Sequence, residues 1–494
     1  MSWRTIKVLE SVDYEREPSV AVGEWLSCTR QLLSDRARPV CVFSQRSNVE
    51  HRVWIALAPP AGGQLCLANT IFAADARQSY SAFSYDMPCM NYFESELYEE
   101  TGIEPDRHCW LRPVRTGEAW RRDGKPYVFY QVGGDEIHEV GVGPVHAGVI
   151  EPGHFRFQCH GEQVLHLEIQ LGYQHRGIEK LLPGRPQAQQ LVLVESIAGD
   201  SVIAHTTAFC SAIEALAGFT PSLRAQAVRG IAAELERIAM HLSTLSGIAT
   251  DIGFALPAAA FGGLRTAIIN LTARICGSRF GRGWIIPGGI RFDLDPALIE
   301  IAQQILASVL REFSDVEALF FNSSSALARL EETGTVTSEQ ALTAGLVGLA
   351  ARASGIARDV RVEFPYGIYR YSSIPSLRLD SGDVYARAKL RSLEIRSSID
   401  FIFEQLDNLP ARKPKGSVGP LAKNALMISL VEGHRGEVAQ VVLTDSNGRL
   451  AQVKIKDPSF HNWHGLALAV RENGISDFPL CNKSFDLSYA GHDL

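Results

Sequence analysis

Residues 171–180 read LGYQHRGIEK and follow directly on a segment in which apolar and polar residues alternate. In residues 155–169 apolar residues stand at every second position on either side of Gly161, where the chain can turn. This period of two predicts a β-hairpin. From residue 187 the apolar pattern becomes helical and continues to about residue 216, where Gly218 and Pro221 are stop signals. The centre of the chain is therefore predicted to be a β-hairpin that leads into one long helix.

Downstream of this helix the pattern stays helical for most of the chain. Residues 224–246 predict a second long helix, amphipathic and with a charged stripe of Glu234, Glu236, Arg237 and His241. Further helical patterns cover residues 295–332, 338–357 and 383–406, and β-type sequence returns at residues 438–443 and 451–455. Residues 143–494 are thus predicted to form a mainly helical domain with peripheral β-hairpins.

The upstream sequence has a different character. Short β-type runs at residues 40–43 and 53–57 mix with helical stretches, which predicts a small α+β domain. Residues 124–143 contain five glycines and one proline, a composition typical of an extended segment between domains. We therefore expect an α+β fold with one domain at residues 1–125, a connector at 126–142 and a second domain at 143–494.

Length, charge and cysteine use exclude several classes of protein. A chain of 494 residues that is 46% hydrophobic can form two domains, each with its own core. The formal charge of −7, with 48 basic and 55 acidic residues and no basic run, argues against nucleic-acid binding. No stretch resembles a signal peptide or a membrane span, so we expect a cytoplasmic protein. The nine cysteines lack the close spacing of zinc or iron–sulfur sites and are expected to be reduced.

Several short motifs occur along residues 140–494. They are GPVHAG (143–148), EPGHFRF (151–157), LGYQHRGIEK (171–180), ELERI (234–238) with His241, PGGI (287–290), RASG (352–355), RGE (435–437) and KDPSF (456–460). In this order and approximate spacing they resemble the large subunits of nickel–iron hydrogenases and of respiratory complex I. Any one of these motifs is common by chance, whereas the ordered set is specific.

The N-terminal region carries a second resemblance. ESE at residues 94–96, GI at 102–103 and LR at 111–112 are similar to the signature of the small, 30-kDa-type subunit of complex I. Large subunits of formate hydrogenlyases, of the hydrogenase-3 or hydrogenase-4 type, fuse these two domains in this order. The layout of the chain therefore resembles theirs.

The resemblance implies a metal site whose ligands this sequence lacks. Hydrogenases hold nickel and iron with two pairs of cysteine thiolates, because soft anionic sulfur both binds and bridges these metals. The corresponding positions are Ala198, Ser201, Ser488 and Gly491. Alanine and glycine offer no donor, and a serine hydroxyl stays protonated at neutral pH. We therefore expect no nickel–iron centre, no cofactor bound by this chain and no hydrogenase activity.

In complex I the equivalent cleft receives a quinone through a helix tyrosine and a histidine. Here the tyrosine position aligns with Ser201, and the chain keeps His146 but has Ile150 at a second family histidine. The expected cleft residues are His146, Ile150, Ala198, Ser201, His205, Ser488 and Gly491. Ala198, Ser201 and His205 would share one face of the predicted helix, and the small replacements are expected to leave the cleft open. For His205, a hydrogen bond in the core is the alternative to a functional role.

Five further polar residues are candidates for a network beside the cleft. Asp251 and Arg265 match acidic and basic positions in complex I, and a buried structural ion pair explains them equally well. The resemblance places His175, Arg176 and Glu179 near the metal cleft of hydrogenases, where the glutamate handles protons or binds magnesium. A structural role and a role in a polar network stay equally open for these three.

The resemblance implies an electron-transfer subunit of a membrane-associated complex similar to formate hydrogenlyase or complex I. Its partners would be an iron–sulfur small subunit, a ferredoxin-like subunit and proton-pumping-type membrane subunits. Iron–sulfur clusters would belong to these partners, and a quinone is the candidate ligand. The chain would lie peripherally on the cytoplasmic face of the inner membrane. Two alternatives stay open, a non-catalytic structural subunit and a hydrogenase with an unusual metal site.

Overall fold

The computed structural model describes residues 3–46, 49–74, 78–115, 127–147, 150–411 and 415–494. The N-terminal region contains β1 (Arg4–Ile6), β2 (Val12–Asp13), α1 (Val22–Ser34), β3 (Arg38–Arg46), β4 (Glu50–Ala58), β5 (Leu65–Ala73), β6 (Ser79–Ser81), α2 (Asn91–Thr101) and β7 (Glu104–Asp106). Four strands form an antiparallel sheet in the order β1-β5-β4-β3, and β6 pairs with β7 in parallel. The strands predicted at residues 40–43 and 53–57 are confirmed as parts of β3 and β4.

Both faces of this N-terminal sheet are covered. On one face Trp25 of α1 packs with Val53 and Ile55 in a core that also includes side chains of α2. On the other face Phe43 and Trp54 pack in a cluster with strand residues between positions 425 and 443. Strand β2 leaves the N-terminal sheet and pairs with residues 425–426. The N-terminal and C-terminal parts of the chain therefore share a hydrophobic core.

The middle of the chain contains β8 (Ile137–Val142), β9 (His154–His160), β10 (Gln163–Gln170), α3 (Ile178–Leu181), α4 (Gln187–Glu195), α5 (Val202–Leu216), α6 (Leu223–Asp251), α7 (Ala255–Cys276), β11 (Ile285–Ile286) and β12 (Gly289–Ile290). The predicted hairpin is confirmed as β9 and β10, and β8, from the predicted connector, pairs with β9. Residue 126 of that connector lies outside the described residues. A bulge between Val164 and His166 changes the alternation, so that Val164 is buried and Leu165 is only partly buried.

The prediction of one helix over residues 187–216 was wrong, because the structure divides this stretch into α4 and α5. Residues 196–201 lie between the two helices, and Ser201 directly precedes α5. The first amides of α5 find an acceptor outside the helix, since Ile203 and Ala204 donate to the Glu236 carboxylate at 2.7 and 3.3 Å. An acceptor oxygen at a helix N-terminus satisfies N–H groups that have no partner within the helix. A new helix can therefore begin at residue 202.

The C-terminal part contains α8 (Pro296–Phe321), α9 (Ser324–Leu330), α10 (Ser338–Thr343), α11 (Gly348–Ala353), α12 (Val360–Glu363), α13 (Val384–Asp407), β13 (Ala425–Glu432), β14 (Glu437–Thr444), β15 (Leu450–Lys456), α14 (Ser459–Ala469), α15 (Phe478–Phe485) and α16 (Tyr489–Asp493). The helix predicted over residues 383–406 and both predicted strands are confirmed. The helices predicted over 295–332 and 338–357 are each divided, because Ser323 caps α9 and Gly345 adopts a left-handed backbone after α10. The second sheet has the order β15-β14-β13-β2.

Helix α6 is the centre of the main core. It begins after the Ser222 cap, which accepts from the amide of Ala225, and packs against α5, α7, α13 and α15. Its predicted charged stripe is largely interior, since Glu234, Arg237 and His241 are all buried. No helix in the described part of the chain combines the length and apolar character needed to cross a membrane.

Candidate functional site

A cavity of about 650 Å³ lies between the loop that follows β8, the C-terminal end of α6, and α15. Three of the predicted site residues line it, namely His146, Ile150 and Asp251. Its apolar wall includes Phe155, Phe157, Phe478 and Leu487, and its charged residues besides Asp251 are Glu151, Asp200, Arg435, Lys483 and Asp486. A mostly apolar cavity with a few polar groups is the usual form of a small-molecule site.

Five predicted cleft residues do not line this cavity. They are Ala198, Ser201, His205, Ser488 and Gly491, all of which are buried. Ala198 and Ser201 precede α5, so they do not share a helix face with His205 as predicted. The expectation that small residues leave these positions open was also wrong. Side chains from two other segments, Arg435 and Asp457, lie against them.

Arg435 lies beside one of the thiolate positions. Its guanidinium donates two hydrogen bonds to Asp200, at 2.8 and 2.6 Å, and one to the Ser201 hydroxyl at 3.3 Å. Its Nε donates to the backbone carbonyl of Asp486. Burial by itself lowers the pKa of Arg435, but the attraction of Asp200 and then of Asp486 outweighs burial and raises it. This ion pair forms part of the cavity wall.

Asp457 lies against another thiolate position, Gly491. His205 Nε2 is 3.0 Å from Oδ2 of Asp457, and both side chains are completely buried. Burial raises the pKa of the Asp457 carboxyl, but the bond to His205 and the charge of Arg435 lower it below its usual value overall. A Cβ atom at Gly491 would stand 2.7 Å from Cγ of Asp457, and the Ser488 hydroxyl accepts from the Gly491 amide at 2.9 Å.

These contacts do not fit a nickel–iron centre. Within the described residues, no cysteine lines the cavity. Of the four thiolate positions, two carry no donor atom, and the two serine hydroxyls are occupied by Arg435 and by the cap of α16. A guanidinium beside the position also disfavours a metal cation, because like charges repel. The residues at these four positions therefore offer neither the ligands nor the electrostatics that such a centre requires.

The residues predicted beside the metal cleft hold other segments of the chain. His175 Nδ1 lies 2.7 Å from the carbonyl oxygen of Asp493, and the Asp493 carboxylate accepts from the amide of Gly172 at 2.8 Å. Arg176 donates to the carbonyl of Ala490 at 3.0 Å. These bonds fix the loop after β10 to the segment that carries Ser488 and Gly491, and they support the structural role.

Glu179 belongs to a cluster of three carboxylates. Oxygen atoms of Glu96, Glu100 and Glu179 lie within 4.8 Å of one another, close enough to hold a metal ion. The Lys454 ammonium, however, lies 2.6, 3.0 and 3.5 Å from these three carboxylates respectively. A buried cation is therefore already present, and the cluster connects α2 of the N-terminal region to β15.

Asp251 and Arg265 do not form the ion pair that was one of their two interpretations, as far as the described residues show. Asp251 lines the cavity, where burial raises its pKa and the nearby Lys483 opposes the shift only in part. The Nε atom of Arg265 is buried and finds no hydrogen-bond partner within the described structure. Of the two, only Asp251 is placed to meet a ligand in the cavity.

Sequence reasoning missed the residues that shape this site most. Arg435 and Asp457 stand in two of the ordered motifs, RGE and KDPSF, and that position could have marked them as candidates. Tyr489 lies between the last two thiolate positions and lines the cavity, yet no motif distinguished it. Its contribution depends on three-dimensional packing alone.

Comparison with known proteins gives matches along most of the chain. A family model described as the 49-kDa subunit of respiratory-chain NADH dehydrogenase matches residues 251–426. The carbon monoxide-induced hydrogenase of Rhodospirillum rubrum is 30% identical over 352 residues, which cover 71% of this chain and 97% of that protein. The C/D subunit of the NADH-quinone oxidoreductase of Bacteroides thetaiotaomicron is 31% identical over 449 residues, covering 87% and 80% respectively. Formate hydrogenlyase subunit 5 of Escherichia coli (strain K12) is 29% identical over 373 residues, covering 75% and 66%.

Proposed function

Since the chain belongs to the family of NADH-quinone oxidoreductase and hydrogenase large subunits, we propose that it serves electron transfer within a membrane-associated complex of this type. It does so without a nickel–iron centre of its own. The observation that carries the proposal is that Arg435 and Asp457 occupy the surroundings of the thiolate positions while a cavity of about 650 Å³ persists beside them. The metal chemistry is lost, and the space for a small acceptor is retained.

We assign the redox cofactors to partner subunits. The partners are an iron–sulfur small subunit, a ferredoxin-like subunit and proton-pumping-type membrane subunits, and the complex places this chain on the cytoplasmic face of the inner membrane. The support comes from the relatives, whose names include a formate hydrogenlyase subunit and a subunit of NADH-quinone oxidoreductase. We also propose the domain division at residues 1–125, 126–142 and 143–494. It is supported by a relative that matches 87% of this chain and whose name, C/D subunit, combines two subunit letters.

We propose further that the cavity receives a quinone-type acceptor. Its aromatic wall of Phe155, Phe157 and Phe478 suits a planar ring. His146 and Ile150, which the sequence placed in this cleft, stand on its wall.

One observation favours a second function, that of a non-catalytic structural subunit. The His205–Asp457 pair is fully buried, and Arg435 bonds to Asp200 and Ser201 beside the former metal position. A site filled in this way preserves the shape of an assembly without any chemistry. The experiment below separates the two functions.

Ile150→Trp should block the cavity and stop quinone reduction by the assembled complex, because Ile150 lines the cavity and is 47% exposed, so that it can enlarge without disturbing the core. Ser201 is less suitable for this test, since it is buried and bonded to Arg435. The matched control is Val145→Trp, at a residue that is 79% exposed and does not line the cavity.

The measurement is quinone reduction, together with the protein composition and the nickel content of the purified complex. Loss of reduction in the Ile150 variant alone, with normal assembly and less than about 0.1 nickel per chain, supports electron transfer through the cavity. Unchanged reduction in both variants would favour the structural subunit. Nickel close to one per chain would overturn the assignment of metal-free electron transfer.

A further inference from the structure

A separate cavity of about 510 Å³ lies between the start of α4, the segment before β13 and the turn that joins β14 to β15. It shares no lining residue with the cavity of the candidate site. Its apolar wall consists of Ile213, Val418, Pro420, Leu421 and Leu450. The charged residues among its described lining are Arg185 and Arg449, and we therefore call it the arginine cavity.

Both guanidinium groups of the arginine cavity are available to a ligand. Nε of Arg185 donates to the backbone carbonyl of Leu181 at 2.8 Å, and its two terminal nitrogens have no partner among the described residues. The backbone amide of Arg449 donates to the Asp445 carboxylate at 2.8 Å, whereas its guanidinium forms no ion pair in the described structure. Both side chains are exposed, so they can turn toward a bound group.

The charge around the arginine cavity is positive. No acidic residue occurs among its described lining, and the first turn of α4, which opens on it, carries no acidic side chain. Asp445 lies outside the lining. Lys423 adds a third cation nearby, because a Cβ atom at Gly448 would stand 3.8 Å from its Cγ. Cations around a concave surface attract anions.

The cavity of the candidate site has the opposite character. Its two cations are both paired, Arg435 with Asp200 at 2.6 Å and Lys483 with Asp486 at 2.8 Å. The chain as a whole also carries more negative than positive charge, with a formal value of −7. The arginine cavity is therefore a local exception, where positive charge is concentrated and not neutralised.

The charged and apolar parts of the lining fit two parts of one ligand. A guanidinium presents its N–H groups in a planar fork that matches the oxygens of a phosphate, and two guanidiniums from different elements can bind one phosphate together. The apolar wall beside them suits a hydrocarbon portion, which leaves water when it is bound. Inorganic anions lack the second part, and neutral apolar molecules lack the first.

We propose that the arginine cavity binds an anionic phosphate ester with an apolar portion, and that Arg185 and Arg449 hold its phosphate. Anionic phospholipids of a membrane and soluble phosphate esters both have this chemistry. The site goes beyond the proposed function, and electron transfer through the other cavity does not depend on it.

The test is calorimetric titration of the full chain, with any subunits that co-purify, using three probes below the concentrations at which they form micelles. Dihexanoyl phosphatidylglycerol combines a net negative charge with acyl chains. Dihexanoyl phosphatidylcholine has the same chains without a net charge, and glycerol phosphate has the charge without the chains. The wild-type chain should bind the phosphatidylglycerol saturably and each of the other two at least tenfold more weakly.

Three variants locate the binding. Arg185→Gln and Arg449→Gln should each weaken binding of the phosphatidylglycerol about fivefold, because each removes one exposed cation from the phosphate. Gly419→Trp should weaken it at least tenfold, since this residue lines the cavity and a Cβ atom there meets no atom within 4 Å, so that a large side chain can be added without a clash. Arg279→Gln and Gly133→Trp, at exposed positions outside the lining, are the controls and should bind normally.

Flotation with vesicles distinguishes the two sources of the ligand. Binding to vesicles of phosphatidylglycerol that is weakened in both arginine variants identifies a membrane lipid, whereas binding of the short-chain probe alone identifies a soluble phosphate ester. Equal affinity for the phosphatidylcholine would overturn the requirement for a net charge, and equal affinity for glycerol phosphate the requirement for an apolar portion. Absence of binding by the wild type, or wild-type affinity in the three variants, would overturn the site itself. Thermal unfolding of each variant distinguishes a lost ligand contact from a lost fold.

Discussion

Two groups of polar side chains lie within reach of α6, and they differ in how completely they are paired. The inner network consists of Glu234, Arg237, Arg352, Asp359, Arg361, Glu394 and Glu432. Its Glu234 accepts hydrogen bonds from Arg237, Arg361, Tyr369 and Ser398 at distances between 2.5 and 3.1 Å. The cavity wall, in contrast, contains the buried hydroxyl of Tyr489, for which the described structure shows no hydrogen-bond partner.

This difference distinguishes side chains that stabilise the fold from side chains that have another role. A buried charge is tolerated only when opposite charges and hydrogen bonds replace the water it has lost. In the inner network every charged group meets an opposite charge, although the Nε atom of Arg352 lacks an acceptor within the described structure, and such a network fixes one arrangement of the helices. A buried polar group that remains unpaired does not stabilise the fold, so it needs another explanation, such as a functional role. The inner network and the Arg435–Asp200 pair are of the first kind, and Tyr489 is of the second.

The largest loss of stability is expected for Glu394→Gln in the inner network. Glu394 meets Arg352, lies 2.7 Å from His241 Nε2 and is 3.5 Å from Arg237. Removing its charge breaks the buried ion pairs that Glu394 forms with Arg352 and Arg237, and we expect the free energy of unfolding to fall by about 3–5 kcal/mol. Urea unfolding measures this change. The exposed Glu339→Gln serves as control, and a similar small loss in both variants would mean that pairing in the network does not stabilise the fold.

Lys454→Met tests whether the cluster of Lys454 with its three carboxylates holds the two predicted domains together. The ammonium is buried among Glu96, Glu100 and Glu179, and two of these carboxylates are partly reached by solvent. We therefore expect a loss of about 2–3 kcal/mol, less than for Glu394. Limited proteolysis should then cut faster near residues 126–142, while the exposed Lys423→Met behaves as wild type. Cleavage first in the middle of the helical region would contradict the proposed domain boundary.

Gly491→Cys tests whether the former metal position can accept its thiolate again. The new Cβ would stand 2.7 Å from Cγ of Asp457, so we expect a loss of about 2 kcal/mol from overpacking. Ser488→Cys adds no atom that would clash in this way. We expect it to lower the free energy of unfolding by about 1 kcal/mol, because a thiol is a weaker helix cap than a hydroxyl. Thermal unfolding in the presence and absence of nickel checks both values. A Gly491 variant as stable as wild type would show that the position is not filled by Asp457.

The fold could be predicted in outline because its main signals are local. The alternation around Gly161 and the helical period of residues 224–246 lie in neighbouring residues, and both elements were confirmed. The break before α5 could not be predicted in the same way. The carboxylate that receives its first amides is that of Glu236, 33 residues further along the chain.

The candidate site was predictable only where the family motifs point to it. His146 and Ile150 lie in the first motif region and do line the cavity. Asp200 and Arg435 are 235 positions apart, and no pattern in the sequence shows that they meet. The same is true of the contact between Gly153 and Tyr489, which depends on how the C-terminal segment packs against β9.

The smallest expected effect comes from Glu236, which combines features of both groups of side chains. Its carboxylate receives the amides of Ile203 and Ala204, but it forms no salt bridge of the kind seen in the inner network among the described residues. Burial raises its pKa to about 8, the nearby Asp200 adds to the rise, and the two amides and Arg237 oppose it. In the unfolded chain a glutamate loses its proton near pH 4.3.

The folded protein therefore holds a proton on Glu236 that the unfolded chain has released, and the stability this confers is lost as pH rises through about 8. Glu236→Gln cannot titrate, so between pH 7 and 9 the wild type should lose about 1.4 kcal/mol more stability than the variant. Urea unfolding of both proteins across this range measures the difference. Groups such as Glu432, whose pKa is raised to about 7, titrate in both proteins and cancel in the comparison. Parallel pH profiles would show that Glu236 is ionised throughout, like Glu394 of the inner network, whose pKa is held well below its usual value despite burial, mainly by the charge of Arg352.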